Sequence, residues 1–215
     1  MPDLSFRIES AEAVRHAAAP LLTFRLHIEN AVAAHSIVNV VVRTQIQIEA
    51  MKRRYTPGEQ AQLEDVFGAR ERWGESAQRL VWSHVVVMVP AFDTSTVVEL
   101  PVSCSYDFNV AAARYFHALG NGEVPLVFQF SGSVFYRTPT APLQVSPISW
   151  SAEAQYRMPV AVWKQAMDYH YPDSAPVLLG RPVFDRLHAY RRRHGFEDWE
   201  QALSALLDAA EIETA

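Results

Sequence analysis

Eight histidines are the side chains in this sequence best suited to hold a metal ion or to move a proton near neutral pH. Their spacing offers no ready-made site. There is no His-Glu-x-x-His pair, and no two histidines stand at i and i+4 on one helical face. His27 and Glu29 match the opening of a zinc-deaminase signature, but that signature needs two further cysteines and the chain has only Cys104. His188 and His194 fall near expected helix ends, where a cation meets the negative end of the dipole. A metal or acid–base site would therefore need His84, His117 or His170 to be gathered with scattered carboxylates by the fold.

The other chemistry-bearing motifs read as structure. Gly120-x-Gly122 lacks the third glycine of a dinucleotide loop, since position 125 is Pro125, and the segment leaves a helix instead of entering one. No Walker-type Gly-x-x-x-x-Gly-Lys occurs. Ser131-Gly132-Ser133 is not a Gly-x-Ser-x-Gly elbow; a glycine within a strand marks a bulge or a close backbone approach. Cys104 falls on the apolar side of an alternating segment, beside Val102 and Tyr106, and reads as a small buried hydrophobe with a raised pKa. The basic runs Lys52-Arg53-Arg54 and Arg191-Arg192-Arg193-His194 read as local ion pairs and solvated faces in preference to phosphate contacts. On this basis the sequence assigns no catalytic residue, no cofactor-binding residue and no metal ligand, and a non-enzymatic protein is expected.

Composition narrows the partners. The chain has 215 residues, 49% hydrophobic and 20% charged, which is ordinary for one globular core. A net charge of -5 argues against general nucleic-acid binding and against adsorption to anionic membranes. The longest wholly apolar run, Val85 to Val89, has the length of a buried strand, so membrane insertion is not expected. One cysteine rules out an internal disulfide framework, and Met1-Pro2-Asp3-Leu4 has no secretory pattern. A cytoplasmic location is the expectation.

The elements that would position these residues are mostly strands. Apolar residues alternate with polar ones at Leu4–Ile8, Leu22–Ile28 and Val38–Ile48, the habit of antiparallel sheets with one wet face. Val81–Val89 is nearly all apolar and is expected to be central. Val98–Cys104 alternates again, with Pro101 pointing to an edge or a bulge. Leu126–Tyr136 and Leu143–Tyr156 complete the strands. Thr56-Pro57-Gly58-Glu59 is a capping box opening one inserted helix, with Leu63, Val66 and Phe67 inward and a stop at Gly68. Asp107 is expected to cap a second, with Phe108, Ala112, Tyr115, Phe116 and Leu119 on one side. Helices follow from Pro159, from Pro182 and, after Gly195, through a stripe of Trp199, Ala202, Leu203, Leu206 and Leu207. The sum is an α+β fold: an antiparallel β-sheet of about seven strands with two inserted helices and a C-terminal helical region covering sheet or edge. One domain is expected over 1–208, with 209–215 frayed.

Leu126–Phe130 and Val134–Tyr136 are apolar at both parities, so this strand is either sandwiched or carries an exposed patch that would meet a protein partner. The run Tyr115-Phe116-His117-Ala118-Leu119, then Gly122-Glu123-Val124-Pro125-Leu126 and Phe130-Ser131-Gly132-Ser133-Val134-Phe135-Tyr136, resembles a bacterial family of unknown function. Tyr55-Thr56-Pro57, Arg72-Trp73-Gly74 and Pro101-Val102-x-Cys104-x-Tyr106-Asp107 extend the resemblance over nearly the whole chain. Members are often encoded beside genes of high-affinity nickel–iron hydrogenases. The resemblance implies an accessory role in making or operating such an enzyme and carries no catalytic residue. A fainter likeness of architecture, to SecB-type chaperones, implies a hold on unfolded chains; the extra C-terminal helices depart from it. The expected partners are a hydrogenase subunit or an unfolded chain, with self-association and a dispersed enzyme or metal-carrier site as alternatives.

Overall fold

The structure is a computed structural model that describes residues 2–76, 79–107 and 110–214. The chain forms two compact units, Met1–Pro176 and Val177–Ala215.

In the first unit, period-two alternation builds two antiparallel sheets. β1 (Leu4–Ala13), β2 (Leu21–Asn30) and β5 (Ser95–Ser103) form one, in the order β1-β2-β5. The other runs β4 (Leu80–Val89), β3 (Ser36–Ile48), β6 (Glu123–Thr138), and then β7 (Ala141–Pro147) and β8 (Glu153–Pro159), which pair with opposite halves of the same edge of β6. Among the described residues, eight strands in two sheets thus replace the single sheet of about seven. Alternation marks which face of a strand is dry, but it does not say whether the next strand joins the same sheet. Here the chain changes sheets after β2, after β4 and once more after β5. Asn30 locks the first two crossings: its amide nitrogen donates to the carbonyls of Val32, His35 and Asp93 at 2.9–3.1 Å.

The dry faces meet through aromatic rings. Phe6 stacks on Phe130 at 4.5 Å between centroids, and Phe24 meets Phe128 edge to face at 5.1 Å. Val81–Val89, expected to be central, is the outermost strand of its sheet, with Val86 and Met88 exposed. A wholly apolar run does not separate a buried strand from an edge strand with an apolar outer face. Pro101 does lie on an edge strand, β5, opposite Thr23.

The first inserted helix, α1 (Pro57–Phe67), starts at the expected capping box: Thr56 Oγ1 accepts from Glu59 N, and Glu59 Oε2 accepts from Thr56 N. α2 (Trp73–Ser76) is a single turn. α3 (Ala111–His117) begins later than Asp107 would have it, with Val110 at its N-cap. Asp107 instead closes a turn in which its carbonyl accepts from Val110 N, while its own N–H donates to Ser105 Oγ. Phe108 lies outside the described residues. α4 (Val160–Asp168) packs against β1, β2 and β8, and its Trp163 stacks on Phe116 of α3 at 5.4 Å. This part of the C-terminal helical region does cover the sheet.

The second unit pairs α5 (Arg181–His194) with α6 (Trp199–Thr214), and the chain turns at Gly195, whose φ of 70° is left-handed. α6 continues through residues expected to fray. Ala202 is buried, while Leu203, Leu206 and Leu207 of the same stripe are exposed.

Candidate functional site

The histidines singled out stay apart. His84 sits exposed on β4, and His117 ends α3 with Nδ1 3.4 Å from the Tyr106 hydroxyl. His170 follows α4, its ring nitrogens 3.1 and 3.0 Å from the carbonyls of Ala166 and Ala17. Among the described residues no three His, Cys, Asp or Glu side chains gather where a metal ion could be held. Cys104 is buried and free, and burial pushes its thiol up to about 12. Ser131 and Ser133 lie in β6 on either side of Gly132, which has φ 138° and no room for a Cβ, because one would collide with the Val41 carbonyl oxygen of β3. The close approach explains that glycine. His117 borders a hollow that tertiary structure alone assembles, between α3 and the end of α4, with Tyr106, Trp163, Lys164 and Asp168. Lys164 Nζ there donates to the Gly120 carbonyl at 2.7 Å.

The basic run 52–54 divides three ways. Lys52 pairs with Glu49 at 2.8 Å. Arg53 is 7% exposed and pairs with the equally buried Glu59 at 2.7 Å, while donating to the carbonyls of Asn121 and Glu123. Burial pushes the Glu59 carboxyl up, but amide bonds from Thr56 and Gly120 and the Arg53 guanidinium outweigh it, so the group sits below the usual carboxylate range. Arg54 is exposed on a cleft it shares with Arg53, Arg70, Tyr55 and Trp73. Two members of the run are the ion pairs expected. The third joins Arg70, sixteen positions on by residue number, which spacing along the chain did not reveal.

The two-sided apolar strand, β6, is sandwiched over one half and exposed over the other. Val124, Leu126, Val127 and Phe128 are all buried, along the half of β6 that pairs with β3 and β8. Farther along, Val134 and Tyr136 point into the core, whereas Phe135 faces outward opposite Val145. The outward face of this sheet carries Val86 and Met88 from β4 and Leu143 and Val145 from β7, all more than half exposed. Beside them a groove is lined by Arg43, Gln45, His84, Gln129 and Ser131, and by Trp150, which is 96% exposed. These exposed aliphatic residues on one sheet face, with the bare tryptophan of the β7–β8 turn beside the groove, form an apolar surface that the core of the first unit does not use.

Fold and surface together define a two-sheet antiparallel protein with helical insertions, and no described helix is long and apolar enough to cross a membrane. The chain belongs to a family of unknown function, DUF6084, whose profile matches residues 1–215. No curated protein sequence matches it. Among solved structures it is similar to the CARDB domain of a Pyrococcus furiosus protein in complex with di-metal ions, at 10% identity and a TM-score of 0.29, covering 73% of this chain and 91% of that one. It is also similar to ApaA from Bordetella pertussis, at 11% identity, a TM-score of 0.25 and coverage of 73% and 94%. A β-glucosidase from Kluyveromyces marxianus gives 8% identity and a TM-score of 0.28, with 73% of this chain matching 15% of that one. Scores this low define neither a shared fold nor a shared activity.

Proposed function

We propose that this protein is a non-enzymatic accessory protein that binds a polypeptide on the outward face of the β3/β4/β6/β7 sheet, and that the polypeptide is a subunit of a nickel–iron hydrogenase during its assembly or operation. The single observation that carries the binding role is Trp150, 96% exposed in the turn between β7 and β8, on a groove that Val86 also lines. Large rings held bare on a scaffold are the usual anchors of protein interfaces. The choice of hydrogenase rests on the family resemblance. Co-purification from a native host, with and without the hydrogenase subunits, tests both parts. The expected outcome is recovery of a hydrogenase subunit with the intact protein and, at roughly tenfold lower yield, with Trp150→Ala. Recovery of the protein alone in both hosts would count against the proposal, and recovery of unfolded chains in both would transfer it to a SecB-like hold.

Self-association is a second reading, favoured by the edge position of β4, whose outer rim is a template for another strand. A doubled mass in light scattering that returns to the monomer value on Met88→Asp would select it.

A further inference from the structure

We infer that the cleft between the 3-10 turn at Ala50–Lys52 and the segment Arg70–Gly74 binds a small organic phosphate monoester. The cleft measures about 430 Å³, the size of small-ligand pockets, and three guanidiniums, from Arg53, Arg54 and Arg70, line it. Among the described residues no carboxylate lines it, in a chain whose net charge is -5. Arg53 is neutralised by Glu59 and its Nη atoms are spent on Glu59, Asn121 and Glu123; its buried Nε has no hydrogen-bond partner. Arg54 makes no hydrogen bond or ion pair among the described residues, and it is exposed. Arg70 uses one nitrogen, donating from Nη1 to Gln60 Oε1 at 2.6 Å, and Gln60 in turn donates to the Tyr55 carbonyl at 2.9 Å. That chain of bonds holds Arg70 toward the cleft and leaves its other donors for a ligand.

Charge fixes the ligand class. Once Glu59 has offset Arg53, two positive charges remain, and a phosphate monoester brings close to two negative ones with three acceptor oxygens. The planar fork of arginine fits phosphate oxygens two at a time. A monocarboxylate would leave one guanidinium facing another unpaired. The organic part has its own surface: Met51 is 51% exposed at the rim, and the Tyr55 ring is held edge-on to Trp73 at 5.7 Å, with the Arg53 guanidinium over its face. Trp73 is itself pinned, its Nε1 donating to the Gly68 carbonyl at 2.8 Å.

Isothermal titration of the full chain with phenyl phosphate, inorganic phosphate and benzoate tests this. Phenyl phosphate is expected to bind most tightly and benzoate most weakly. The double variant R54Q/R70Q is expected to bind phenyl phosphate about tenfold or more weakly at an unchanged melting temperature. The single variant R54Q, at an exposed position, serves as the same test should the double variant not fold. Absence of phenyl phosphate binding at millimolar concentration, unchanged affinity in these variants, or benzoate binding as well as phenyl phosphate would overturn the assignment.

Discussion

Glu59 does two structural tasks with one carboxylate. Oε2 closes the capping box on Thr56, while Oε1 accepts from Arg53 and from the Gly120 amide, tying α1 to the turn before β6. The pair is almost wholly buried, so removing one charge leaves the other stranded. Glu59→Gln is expected to destabilise the protein by roughly 3 kcal/mol at pH 7 in urea denaturation. The sign with pH follows from the depressed carboxyl: its contribution is complete above the usual carboxylate range and is lost as pH falls through the lower, folded-state value. The gap between wild type and Glu59→Gln should therefore narrow in acid. A constant gap from pH 7 to pH 3 would contradict the assignment. The sequence shows the capping role through the spacing of Thr56 and Glu59. It does not show the Arg53 and Gly120 contacts, because Gly120 is brought close only when α1 packs beside α3.

At the scale of elements, the β3–β6 pairing organises the larger sheet. Gly132 sits opposite Val42 with φ 138°, a conformation side chains rarely adopt, and its missing Cβ makes room for the Val41 carbonyl. Gly132→Ala combines backbone strain with a collision against main chain, which cannot rotate away. A loss of roughly 3 kcal/mol or more is expected, read as a lower urea midpoint. A neutral effect would mean that the two strands can separate there at little cost. The strand and its glycine were both legible in the sequence. The identity of the neighbour was not, since partners such as Val42 and Gly132 lie far apart along the chain and alternation names no partner.

Over the whole molecule, burial is unevenly divided. The core residues of the first unit come from both sheets and from α1, α3 and α4, whereas within 177–215 Ala202 is buried and Val183, Phe184, Leu203 and Leu207 are exposed. A helix pair that buries so little is held by few contacts and opens at low free energy. In native-state hydrogen exchange, amides of α5 and α6 are expected to exchange far faster than those of β2, β3 and β6. Equal protection in both sets would show that a partner or another copy covers the helix pair in solution.

Composition, period-two alternation and the capping signals determined on their own that this is an α+β protein of antiparallel strands with inserted helices, and they placed most strands within a few residues. These properties are local: each depends on side-chain type and on neighbours one to four positions away. Tertiary structure decided that the strands divide between two sheets, that Val81–Val89 is an edge, and that Arg54 and Arg70 share a cleft. Each of those depends on which distant segments pack together, a choice made by the summed burial of the whole core and written in no single stretch of sequence.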